Sequence, residues 1–179
     1  MEDTDLLLKI RNPETRSYGF NLLVRAYQKR VYFHVRKMLI DHDDADDVTQ
    51  EVFIKIHKYI DKFREDSQLY TWIYRIATNE CLSFLKKKKR RFFLPLEDVN
   101  AELSRKIDTA PHLSGDDIQK KLQKALLTLP DKQRLVFNMK YYDEMTYEEI
   151  SEITKTSVGA LKASFHHATK KIEEFLTTD

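Results

Sequence analysis

From Leu69 to Arg91 the chain reads LYTWIYRIATNECLSFLKKKKRR. No glycine or proline interrupts it, and apolar residues recur three and four apart, the period of an α-helix with one buried face. The helix is predicted to begin near Leu69, after the polar break Arg64-Glu65-Asp66-Ser67-Gln68. Trp72, Ile73, Ile76, Ala77 and Phe84 form the expected buried stripe. The opposite face carries Arg75, Asn79, Ser83 and Lys86 at steps of about one turn and leads into six consecutive cations, Lys86 to Arg91. A run of like charge repels itself, so it marks a solvated surface or an anionic partner. Arginine, asparagine and serine can contact base edges and phosphates, while Phe63 and Tyr70 can stack on an unstacked base. Phe63 fits a core position equally well, and Trp72 suits core packing better.

The helical period also holds from Phe20 to Phe63. Glycine occurs only at 19, 115 and 159 and proline only at 13, 95, 111 and 130, which leaves long spans without a breaker. The expected class is all-α. Between Leu94 and Gly115 the period fades and Pro95, Pro111, Ser104 and Ser114 appear, the composition of an interdomain linker. Two small helical domains are therefore expected, at 1–94 and 118–179, joined by a flexible linker over 95–117. The 179 residues, 41% hydrophobic and 34% charged, suit packed cores in a soluble protein. No apolar stretch approaches the roughly 20 residues that span a bilayer, and Met1 to Asp5 is acidic rather than signal-like. A cytoplasmic protein without membrane insertion is expected. Cys81, the single cysteine, excludes an internal disulfide and reads as a small core residue.

Net charge is only +2, yet the charges are segregated. Asp41 to Glu51 reads DHDDADDVTQE, six carboxylates with no lysine or arginine, against the purely basic run at 86–91. Such segregation fits two partners, one basic and one anionic, better than one catalytic cleft. At 100° per residue, Asp47, Gln50, Glu51 and Ile54 share one side of a helix, with Val52, Ile56, Tyr59 and Phe63 on roughly the other, the side expected to pack inward. Periodicity by itself favours a plain solvent face for the acidic side; its mixture of acids, amide and isoleucine also suits docking on a basic protein.

The C-terminal part carries the clearest local grammar. Thr146-Tyr147-Glu148-Glu149 is a capping box that starts a helix with Ile150 and Ile153 inward. Lys155-Thr156-Ser157 makes a turn, and Ser157 caps a second helix whose stripe is Leu161, Phe165, Ala168, Ile172 and Leu176. This is a helix-turn-helix pattern. Lys162, Ala163, His166, His167 and Lys170 lie on the other side, a face suited to a major groove. His166 and His167 are adjacent rather than four apart, so no zinc site is expected. Nor is there a nucleophile–base pair or a phosphate-cradling glycine loop, so neither catalysis, cofactor nor small-molecule substrate is expected.

These segments in order resemble the extracytoplasmic-function (ECF) group of bacterial sigma factors. The resemblance rests on Asp46-Asp47-Val48-Thr49-Gln50-Glu51-Val52-Phe53, Phe63 to Ser67, Thr71 to Asn79, Leu129 to Arg134, Tyr147 to Ile150 and Val158 to Lys162. It implies that Asp46, Asp47, Gln50, Glu51, Phe53 and Ile54 dock on core RNA polymerase. It further implies that the loop from Phe63 through Ser67 to Tyr70, with Arg75 and Asn79 on the next helix, captures a flipped base of the minus-ten promoter element, while Lys86, Lys87 and Arg90 hold the adjoining backbone. The helix-turn-helix would read the minus-thirty-five element through Lys162, Ala163, His166, His167 and Lys170, with Lys140 on the backbone. An anti-sigma partner is expected on the same ground. The chain departs from the family pattern at Glu65, where glycine is frequent, at Ser83, where aspartate is, and at Ala160, Ala163 and Ser164 of the recognition helix. The alternative is a stand-alone helix-turn-helix regulator, in which 1–94 would sense a ligand or dimerise.

Overall fold

The computed structural model describes residues 3–91, 96–110 and 116–178. Among them lie nine α-helices and no strand: α1 (Asp3–Arg11), α2 (Arg16–Leu39), α3 (His42–Tyr59), α4 (Leu69–Arg91), α5 (Leu96–Asp108), α6 (Asp117–Leu127), α7 (Asp131–Tyr141), α8 (Tyr147–Thr154) and α9 (Val158–Thr177), with a 3-10 turn at Ile60–Lys62. The all-α expectation holds, and α4 begins at Leu69. No helix among the described residues is long and apolar enough to cross a membrane.

Helices α2, α3 and α4 enclose the first core, filled by Leu23, Val31, Val35, Val52, Ile56, Ile73, Ala77 and Cys81. The thiol of Cys81 is buried, as its sequence context suggests, and burial pushes its pKa up to about 12. Helix α1 lies across α2 at Gly19, where a Cβ would stand 2.8 Å from the Ile10 nitrogen. Only glycine allows that approach. At α3, Asp41 accepts from the Asp44 amide at 2.9 Å, and Asp43 and Asp44 occupy the first turn, where the helix dipole favours acids. The acidic run is thus partly a helix start. The cations closing α4 suit the opposite, negative end of a helix.

Three expectations need correction. The buried side of α4 is Leu69, Thr71, Ile73, Tyr74, Ala77, Thr78, Cys81 and Leu85; Trp72, Ile76 and Phe84 are only half-buried. The stripe turns because α4 packs against α2 and α3 on one flank and α8 on another. Tyr59 points outward at 37% exposure, because the chain tightens into the 3-10 turn just after it and Ile60 takes the inward place. The linker is not loop throughout: Val99, Leu103 and Ile107, four apart, form the buried stripe of α5 and pack on Ile40 and Leu127. Three apolar positions between prolines made too short a pattern to stand out. The proposed linker's ends, with Pro95, Pro111, Ser114 and Gly115, lie outside the described residues.

Helices α6 to α9 form the second core around Ala125, Leu126, Phe137, Ala168 and Ile172. The capping box is present in both directions: Thr146 Oγ1 accepts from the Glu149 amide at 3.2 Å, and Glu149 Oε2 accepts from the Thr146 amide at 2.7 Å. Lys155 makes the turn with φ 58°, and Ser157 caps α9 by accepting from Ala160. In the α9 stripe Leu161, Ala168 and Ile172 are buried, while Phe165 and Leu176 are half-buried. Helix α7 is the shared wall: Leu135, Val136 and Met139 join the first core, Phe137 the second.

Candidate nucleic-acid and protein interfaces

On α3 the inward residues are Ala45, Val48, Val52 and Ile56, which leaves Asp47, Gln50, Glu51 and Ile54 exposed together. Of the six carboxylates, Asp44 pairs with Lys88 at 2.5 Å, Asp41 with Lys106, and Asp46 with His42 at 3.3 Å. Burial raises the Asp41 pKa, but its hydrogen bonds to the Asp44 amide and Lys106 outweigh that and hold it below the usual range. Asp47 and Glu51 make no side-chain ion pair among the described residues. Beside them a groove of about 500 Å³ runs between α2 and α3, lined by Phe20, Val24, Gln28, Gln50, Phe53 and Ile54. Phe53 is half-buried in it. The α2 wall was not legible in sequence, because helix pairing carries no local signal.

The residues read as the minus-ten face fall into three groups. Asn79, Lys86, Lys87 and Arg90 are exposed on α4, beside Ser83. Phe63 is buried against Trp72, ring centroids 5.3 Å apart, and its carbonyl accepts from Arg11 at 3.1 Å. It supports the loop rather than projecting from it. Glu65, where glycine is frequent in the family pattern, has φ 60°, a left-handed backbone that glycine adopts without strain. Arg11 pairs with its carboxylate at 2.5 Å.

The third group is covered by the second domain. The Tyr70 hydroxyl donates to Glu149 Oε1 at 2.8 Å, and Arg75 Nη2 donates to the Glu152 carbonyl at 2.9 Å. Burial and the Glu149 hydrogen bond push the Tyr70 pKa up to about 12, so the phenol stays protonated and donating. The backbone amide of Thr146 and then Tyr70 hold the Glu149 carboxyl below its usual range. Ser67 lines a polar cleft of about 580 Å³ between the loop and α8, with Arg75, Glu152 and Lys155. Lys89 of the basic run donates to Asp131 at 2.7 Å.

On α9 the predicted face is open: Lys162, Ala163, His166, His167 and Lys170 are all exposed. Lys140 is not free. Its amine donates to the Met145 carbonyl at 3.2 Å and stands 5.0 Å from the Tyr147 ring centre, which also carries Lys162 at 5.8 Å. Among the described residues no group of three or more histidine, cysteine or acidic side chains could hold a metal ion.

Comparison with known proteins follows the same division. The family model for sigma-70 region 2 matches residues 23–91, and that for sigma-70 region 4 matches residues 119–172. The chain is 32% identical to the ECF RNA polymerase sigma-E factor of Haemophilus influenzae over 180 aligned residues, covering 95% of this chain and 94% of that one. It is 32% identical to the ECF RNA polymerase sigma factor SigW of Bacillus subtilis, covering 88% and 89%. Among solved structures it matches the sigma factor RpoE of Bartonella quintana, crystallised with the anti-sigma factor NepR, with a TM-score of 0.68 at 22% identity, over 89% of this chain and 98% of that one.

Proposed function

The chain belongs to the ECF sigma factors of bacterial RNA polymerase, and from that membership we propose how its two domains divide the work. It binds core RNA polymerase, confers promoter recognition and promotes DNA melting for initiation. The match over nearly the whole chain leaves no separate ligand-sensing domain for a stand-alone regulator.

The observation that carries the division of labour is the separation of charge in space. The outward side of α3, with Asp47, Gln50, Glu51 and Ile54 beside the Phe53 groove, is the polymerase-docking surface, aided by Asp46. An acidic face with apolar residues at its centre suits a basic, partly apolar partner. On α4, Asn79 with Ser67, Tyr70 and Arg75 captures an unstacked base, Phe63 braces their loop, and Lys86, Lys87 and Arg90 hold phosphates. On α9, Lys162, Ala163, His166, His167 and Lys170 enter the major groove at the minus-thirty-five element; Ala163 offers a methyl for thymine rather than a hydrogen bond. Lys140 shapes this domain through Met145 and Tyr147 and adds charge near the backbone. An anti-sigma protein is a further expected partner, as for the Bartonella relative. The protein catalyses nothing itself and acts in the cytoplasm, where core polymerase meets DNA.

Purified protein added to core polymerase should yield promoter-specific transcripts. Failure to bind core at all would overturn this function.

A further inference from the structure

A cavity of about 590 Å³ opens between the C-terminal half of α2, the end of α5 and α6, apart from the α4 and α9 faces. One wall is a chain of rings set edge to face: Phe33 to Tyr32 with centroids 5.5 Å apart at 71°, then Tyr32 to His42 at 5.9 Å and 78°. A 2.6 Å hydrogen bond between the Tyr32 hydroxyl and His42 Nδ1 fixes that wall. Ile40, Ile107 and Ala110 supply aliphatic surface, and Gln123 supplies an amide. Phe33 stays half in water, at 50% exposure. A concave space of this size, apolar with a few polar groups, falls within the roughly 300–1,000 Å³ that small-molecule sites occupy.

The charge in the cavity is of one sign. Its lining holds Arg36, Lys37 and Lys106 and no carboxylate. Two of the three cations are neutralised by acids that stand outside the lining. Lys106 pairs with Asp41 and, at 3.7 Å, with Glu102. Lys37 pairs with Asp143 at the seam where α7 meets α2, the seam at which Arg134 donates to the Met38 carbonyl at 3.0 Å. His42, at the rim, has Asp46 at 3.3 Å. Arg36 is left over: its half-buried guanidinium makes no ion pair or hydrogen bond among the described residues. One surplus cation calls for one negative charge. A guanidinium is a planar fork that a carboxylate meets with two hydrogen bonds. A phosphate monoester carries nearly two charges at neutral pH and exceeds the count. Tyr32 and Arg36 stand one turn apart on α2, so a ligand whose carboxylate meets Arg36 lays its body along the ring wall.

We propose that this cavity binds an aromatic monocarboxylate, its carboxylate on Arg36 and its ring between the wall of Phe33, Tyr32 and His42 and the α5 residues Ile107 and Ala110. Such a ligand touches α2 and α5 together. It thereby adds to the packing by which Val99, Leu103 and Ile107 hold the linker helix on Ile40. No residue assigned to the α4 or α9 faces takes part, and the site meets the acidic helix only at His42, its first residue.

The test uses the full-length protein and three probes of one shape: 2-naphthoate, its neutral amide 2-naphthamide, and 2-naphthyl phosphate. Each is titrated by calorimetry at physiological ionic strength. 2-Naphthoate should fill a single site, and the other two should bind about ten-fold or more weakly, the scale of one charge-assisted contact. Arg36→Met keeps the aliphatic stem and removes the charge; it should weaken naphthoate by about ten-fold and leave naphthamide unchanged. Ala110→Trp fills the cavity from the α5 side and should abolish binding of both, with helical circular dichroism unchanged. Equal affinity of the wild type for naphthoate and naphthamide reduces the cavity to an apolar groove and overturns the proposal. Saturable naphthoate binding that survives both substitutions puts the anion elsewhere and overturns it too, as does absence of naphthoate binding at millimolar concentration. Tighter binding of naphthyl phosphate than of naphthoate overturns the assignment to a carboxylate.

Discussion

Helices α4 and α9 are alike in sequence, each amphipathic and each turning a cationic, hydrogen-bonding side away from a core, yet they end in opposite circumstances. All five residues predicted on the α9 face are exposed. On α4 the face is divided: Asn79 and Lys86 are open, while Tyr70 and Arg75 are held by α8. Amphipathic period reports which side of a helix leaves its own core. It does not report whether another domain then covers that side.

The comparison breaks most sharply at Arg134, which is buried at the seam and whose pKa burial lowers. Arg134→Ala leaves the Met38 carbonyl without its charged donor and should cost about 2–3 kcal/mol in urea unfolding of the full chain. No loss would mean that the domains stand apart in solution. Next in size, Asn79→Ala should reduce open-complex formation by about ten-fold or more, the scale of one base contact, while sparing duplex capture. Permanganate reactivity of melted thymines reads the first and filter binding the second. Equal losses in both would reduce α4 to a duplex binder like α9.

Acid should loosen the seam. Burial raises the Asp143 pKa, but His34 and Lys37 outweigh it and hold the carboxylate below its usual range. A carboxylate with a lower pKa folded than unfolded contributes stability above the unfolded value and loses it as pH falls through the folded one. Glu149 has the same sign. The compact form should persist through neutrality and expand below about pH 4, followed by scattering. Expansion beginning between pH 7 and 9 would contradict the assignment.

A finer contrast lies within the basic run. Lys86→Ala removes an exposed cation and should reduce the salt slope of DNA binding by about 0.9, one phosphate contact. Lys89→Ala, whose amine Asp131 holds, should leave that slope unchanged in the free protein. Identical slopes for the two variants would show the run to be uniformly free. Smallest is Lys155→Gly in the turn between α8 and α9: at φ 58° it should raise the unfolding free energy by about 1 kcal/mol without altering duplex binding.

The local features were legible from residues alone because each is decided within one or two turns of chain. The Thr146 to Glu149 capping box, the Ser157 cap, the start of α4 at Leu69 and the outward quartet of α3 all formed as read. Phe63 could be assigned to core or surface with equal right, and burial beside Trp72 decided it. What residues alone left unread involved partners distant in sequence: the turned stripe of α4, the helix within the linker, and the contacts that Tyr70, Arg75 and Lys89 make with the second domain.

Sequence by itself determined an all-helical chain of two domains, an acidic side on α3 and cationic sides on α4 and α9, because helical period and capping are short-range consequences of residue order. Only the tertiary structure decided that Glu149, the residue completing a cap in the second domain, also takes the Tyr70 hydroxyl of the first. Contacts across 79 residues depend on how apolar faces find one another, and no local pattern encodes that.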